Sequence, residues 1–213
     1  MLKAMVIATV VISVVSAVEY VRLAWRREID PVPATWLMFL IFFFLSYWMY
    51  WMTPEHSLEG NIGNIAGFLN VIYIFFGVIG YHIRERTLTV AFDLFQRKCL
   101  AMGAVIVMFW FATREGDIAY YLTQALALIA YIPMVKRLWT AKKPTEPFFL
   151  WGLSLVACLT AIYPAVHEQD KLAWVFLSRA IPSSLLVMFL ILRLKRRERK
   201  ALRPLIQAPA TDA

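Results

Sequence analysis

Cysteine, histidine and acidic side chains are all scarce in this chain. Its 213 residues include two cysteines, three histidines and 14 Asp plus Glu, against 22 Lys plus Arg. Cys99 and Cys158 lie in apolar runs, which predicts two small buried hydrophobes with neither a disulfide nor a metal site. His56, His82 and His167 stand at helix ends or in loops, without ligand spacing. There is no Gly-rich phosphate loop, nucleophile elbow or HExxH, so the motifs point to no enzyme and no bound cofactor. A seven-helix retinal protein needs a lysine inside its last helix, and none lies between Lys171 and Lys195.

What is abundant is apolar and aromatic. Hydrophobic residues make up 61% of the chain and charged residues 17%, with mean hydropathy +0.64. A soluble domain of this size cannot hide that much apolar surface. Eight Trp, nine Tyr and fifteen Phe fit a bilayer protein with aromatic belts. The net charge of +8 would suggest nucleic acid in a soluble protein. Here the basic residues collect in loops and tail, which makes the lipid bilayer the partner and excludes nucleic acid.

Seven apolar spans are expected, at about Ala4–Ala24, Pro33–Met52, Ile62–Ile83, Lys98–Thr113, Ile118–Trp139, Pro147–Val166 and Leu172–Leu194. The fourth is short for a full crossing. With the N-terminus outside, 18 of the 22 basic residues fall on the inner side, and only Lys3, Arg114 and Lys171 fall outside. The remaining one, Arg179, lies inside the seventh span. Such a bias specifies N-out, C-in and an odd number of spans. Val15-Ser16-Ala17 resembles a signal-peptide cleavage site, but removing the first span would put Arg22, Arg26 and Arg27 outside and invert every later loop.

Two stretches of the chain match. Ala17–Leu37 and Ala130–Trp151 each read as a helix end, a basic turn and a new helix start. At an offset of 114 positions Val21 falls on Val135, Arg22 on Lys136, Trp25 on Trp139 and Pro33 on Pro147. Matching ends at one offset predict a duplicated unit. The expected fold is an all-α integral membrane protein with two parallel three-helix bundles. Repeat 1 spans 4–86, a linker helix 87–116 and repeat 2 117–195, with a basic, mostly disordered cytoplasmic tail at 196–213. An odd number of intervening spans leaves the two repeats in the same orientation.

This 3+1+3 plan, with a basic turn following Tyr131-Ile132-Pro133, resembles the PQ-loop and SWEET sugar-transporter superfamily. Of the family's Pro-Gln pair Pro133 is present, followed by Met134, and repeat 1 has Glu19-Tyr20 at that place. The resemblance implies a pocket with an Asn on the third helix of each repeat and aromatic residues on the second. Asn70 matches the first Asn, Arg179 stands near the second, and Trp48 or Trp51 is the expected aromatic wall. It also implies bending at helix prolines, here Pro133 and Pro182, and facilitated movement of a sugar or similar small solute through a cell membrane. A non-transporting receptor or accessory protein is the alternative, and a homo-oligomer is left open.

The polar residues within the spans carry two readings each. Arg179 lies about 10 Å below the outer end at 1.5 Å per residue; it either faces a cavity, favouring an anionic ligand, or snorkels out to Asp170, Glu168 or Asp117. Glu19 pairs with Arg22 or Arg84, or serves as a proton or substrate group. Asn70 makes an interhelical hydrogen bond or contacts ligand. Asn61 and Asn64 cap or pack. Trp48 and Trp51 face either ligand or lipid. Ser183 and Ser184, after Pro182, mark a gating kink or satisfy the carbonyl that the proline frees.

Overall fold

The computed structural model describes residues 1–54, 56–141 and 146–207, with side chains as far as Glu198. Lys142 and Lys143 of the basic turn, and the last six residues of the tail, lie outside the described residues. Every regular element among those described is helical: α1 (Leu2–Trp25), α2 (Pro33–Trp51), α3 (Ile62–Arg84), α4 (Leu94–Thr113), α5 (Gly116–Ala130), α6 (Ile132–Thr140), α7 (Phe148–His167) and α8 (Lys171–Gln207). With α5 and α6 counted as one span, seven are long and apolar enough to cross a membrane. In lipid a backbone must satisfy its own hydrogen bonds, which selects helices for such sequences. Large apolar side chains such as Ile7, Phe76, Met108 and Phe189 remain exposed around the bundle, as a lipid-facing surface requires.

Three elements differ from the sequence expectation. α4 begins at Leu94, earlier than Lys98, because Asp93 and Gln96 form a reciprocal capping box: Asp93 Oδ1 accepts from the Gln96 N–H at 2.7 Å and Gln96 Oε1 accepts from the Asp93 N–H at 3.0 Å. The fifth span breaks at Tyr131 into α5 and α6. Pro133 has no N–H to continue the ladder, and Tyr131 N–H bonds only three residues back, to Leu128 O at 3.2 Å. α8 runs on to Gln207, past the expected end at Leu194. The Lys-, Arg-, Glu-, Ala- and Leu-rich stretch that follows has high helix propensity, so this part of the tail is ordered as helix. α8 also passes through Pro182 without interruption.

The helices form two sets of like arrangement. α3 packs against both α1 and α2, and α8 packs against both α7 and the α5–α6 span, so the third span of each set lies between its first two. The sets meet reciprocally: α1 packs on α7, and α2 on α5. First span against second span, twice, is the contact pattern of a pseudo-twofold axis along the membrane normal. α4 packs on α5 and α2 at the periphery, as a linker does.

Glycines on α3 allow close approach. A Cβ at Gly63 would lie 3.0 Å from Ala161 Cβ of α7, and one at Gly67 2.7 Å from the Phe43 ring of α2. A Cβ at a third glycine, Gly77, would overlap the Val21 side chain of α1. The spacing of Gly60, Gly63 and Gly67 predicts such contacts.

A central cavity between the two helix sets

The reciprocal packing leaves a cavity of about 80 Å³ between the two sets. Both sets wall it. Ser13, Asn70 and the rings of Trp36, Phe39 and Phe43 come from the first, and Tyr131, Trp151, Cys158, Phe176 and Ser184 from the second. A smaller void of about 40 Å³ continues from it, bounded by Ser16, Tyr20 and Leu150 and sharing Asn70, Trp36, Trp151 and Ser154.

Asn70 makes the interhelical hydrogen bond of its first reading. It lines the cavity, and its Nδ2 donates to Ser13 O at 2.7 Å, tying α3 to α1. Ser184 lines the same cavity, and Arg179 does not. The 114-position offset pairs Asn70 with Ser184. Ser183 turns the other way, into an apolar cleft beside Lys136 and Trp139, and its buried hydroxyl has no hydrogen-bond partner.

The aromatic wall is supplied by other residues than those expected. Trp48 packs against Trp110 of α4 and Phe44, with ring centroids 6.1 and 5.5 Å apart, and Trp51 stacks on Tyr47 and meets His56 near the outer end. Neither lines the cavity. Trp36 and Trp151 do, and they belong to a chain of rings: Tyr20–Trp36 at 4.8 Å, Trp36–Phe39 at 5.7 Å, Phe39–Tyr131 at 5.2 Å and Tyr131–Trp151 at 6.3 Å. Both tryptophans lie in the first turn of a second span, close to Pro33 and Pro147. That shared place after a helix-opening proline is the signal that could have found them.

Glu19 takes the first of its two readings. It accepts from Arg22 Nη2 at 2.5 Å on an exposed helix face and stays away from the cavity. Arg179 takes neither extreme exactly as expected. It is 7% exposed, so it does not snorkel, and it makes no contact with Asp170. Its Nε donates to Gln124 Oε1 at 2.7 Å; Gln124 Nε2 donates to Ser46 Oγ at 2.5 Å, and Ser46 Oγ donates to Asn64 Oδ1 at 3.1 Å. This chain joins α8, α5, α2 and α3, and so both helix sets. The guanidinium carbon lies 5.6 Å from the Phe43 ring centre and 5.1 Å from that of Phe176, directly behind two rings of the cavity wall. Its Nη1 is buried without a partner, and no carboxylate pairs with Arg179 among the described residues.

Buried polar contacts lie beyond the central space toward both helix ends. Toward the outside, Tyr50 of α2 donates its hydroxyl to Asp170 Oδ2, while Asp170 Oδ1 caps α8 through the Ala173 N–H at 2.8 Å. Toward the inside, Trp36 Nε1 donates to Tyr20 OH at 3.1 Å, within the first set. The buried carboxylate of Glu146, on the turn before α7, accepts from Arg137 of α6 and faces Tyr20 and Trp151. Burial pushes the Glu146 carboxyl above the ordinary glutamate value, against the opposing pull of Arg137.

Cys99 and Cys158 are free. Cys99 is buried in the α2–α4–α5 core as expected, whereas Cys158 faces the cavity. With this geometry in hand, comparison with protein-family models, curated proteins and solved structures gives no match to the chain.

Proposed function

We propose that this integral membrane protein is a carrier for a small polar solute, working by alternating access between its two three-helix sets. One observation carries the reading: a polar-edged, aromatic-walled cavity lies between the two sets, with inter-set contacts toward either end, Tyr50 to Asp170 and Tyr20 beside Glu146. Parting Tyr50 from Asp170 opens the cavity outward. Parting Tyr20 and Trp36 from Glu146 and Trp151 opens it inward. The Pro133 break lies beside Tyr131, in the cavity wall, and supplies a hinge between α5 and α6.

Membership of the PQ-loop and SWEET superfamily belongs to this proposal, supported by the 3+1+3 plan, as does placement in the cell membrane. The test is solute flux into proteoliposomes holding the purified protein. Saturable uptake that Ser184→Trp abolishes without loss of folded yield is the expected result. Saturable binding with no flux would replace the carrier with the receptor reading.

A further inference from the structure

Resting on the carrier reading, we infer that the solute is a short monocarboxylate whose anionic end is held by Arg179. A guanidinium buried among lipid-spanning helices is costly unless something compensates it. The neighbours of Arg179 supply a hydrogen-bonded neutral acceptor, Gln124 Oε1, the nearby neutral hydroxyl of Tyr131 and two ring faces. Asp170, the acid nearest along the same helix, is about 13 Å away at 1.5 Å per residue. Both of its oxygens are already engaged, by Tyr50 and by the α8 N-terminus. Arg179 Nη1 is buried and unpartnered beside the cavity wall. An arginine presents a planar fork matched to a carboxylate, and a charge-assisted pair there satisfies the free N–H as well as the charge.

The class of anion follows from what surrounds the cation. Arg179 is the one cation beside the cavity among the described residues, so a monoanion neutralises it, whereas a dianion would leave a second buried charge. The walls of Phe39, Phe43, Phe176, Trp36 and Trp151 suit an apolar chain, and Asn70, Ser154 and Ser184 offer hydrogen bonds to a hydroxyl or keto oxygen. The compact central space, with rings from both sets around it, favours a short body. For a carboxylate to reach Nη1, the Phe43 and Phe176 rings must part, so binding and the opening of the wall are one event.

Lactate and lactamide, of nearly equal shape, separate charge from fit. In proteoliposomes the wild-type protein should take up labelled lactate saturably, and lactamide should compete at least tenfold less well. Arg179→Gln should lower lactate affinity at least tenfold, and Arg179→Lys should restore it only in part. Equal competition by lactamide overturns the inference without recourse to any variant, so a poorly folding Arg179→Gln protein does not shield it. Saturable flux of a neutral solute, unchanged in Arg179→Gln, would also overturn it while leaving the carrier reading intact. Absence of flux for every solute would instead remove the carrier itself.

Discussion

Single side chains set the dimensions of the cavity, and Gly67 shows how. Its missing Cβ is where the Phe43 ring sits, so the ring's place in the wall depends on a hydrogen on α3. Gly67→Val should displace Phe43 and destabilise the folded protein by about 1–3 kcal/mol, the usual scale of overpacking. Gly152 of α7 is the contrast, because the nearest atom to its Cβ position is Met188 Cε at 3.9 Å. Gly152→Ala should be neutral or stabilising, by up to about 1 kcal/mol of helix propensity. Thermal unfolding in detergent measures both; equal effects at the two sites would refute this account of the wall. At this scale the sequence was only partly readable. Depth along a span places Arg179 and Asn70 well, since it needs only a count of residues. Rotational phase is harder: Trp48 and Trp51 lie on an almost wholly apolar helix, where no polar stripe marks the inward face. Trp36 and Trp151 differ from them in nothing but position.

At the scale of elements, the turn before α7 joins the two helix sets through one titratable group. Glu146 is buried against Arg137, Tyr20 and Trp151, and its carboxyl holds its proton above the ordinary glutamate range. A raised folded-state value means that the folded protein binds this proton more tightly than the unfolded chain does. The resulting stabilisation is fully present below the ordinary glutamate value and is lost as pH rises through the raised one. The melting temperature should therefore contain a component that falls as pH rises from about 4.5 toward neutrality, and Glu146→Gln should remove it. A component that rises with pH over that window, and vanishes in Glu146→Gln, would show that the Arg137 ion pair outweighs burial. Helix boundaries were the most legible feature of the elements, because Pro33, Pro147 and the basic turns punctuate them. The early start of α4 was written as Asp93-x-x-Gln96 and overlooked. The long α8 was misjudged because charge was weighed above helix propensity.

For the molecule as a whole, the duplication is the feature read most directly from sequence, and the reciprocal α1–α7 and α2–α5 packing is its structural counterpart. It also yields a native reporter. Cys158 faces the cavity while Cys99 is enclosed in a separate core. In a Cys99→Ala background, Cys158 should react slowly with a membrane-impermeant methanethiosulfonate applied from either side. Tyr50→Phe, which removes the hydroxyl held by Asp170, should raise the rate from outside. Glu146→Ala should raise it from inside. Equal acceleration from both sides by either variant would mean that the two closures are not independent, contrary to an alternating carrier.

The chain Arg179–Gln124–Ser46–Asn64 contains a cation and no acid. If the solute is a monoanion, the loaded carrier has no net charge at its centre, and the empty one retains a positive charge. Membrane voltage then acts on the return of the empty carrier and leaves the loaded crossing untouched. A full elementary charge moving through 100 mV changes energy by about 2.3 kcal/mol, and a partial traverse by proportionately less. Solute-for-solute exchange should accordingly be indifferent to a potential clamped with potassium and valinomycin, while net uptake, which requires the empty return, should follow it. Exchange and net uptake with the same voltage dependence would place the compensating charge elsewhere. The protein would thus be electrically silent when it swaps solutes and a current source when it accumulates them.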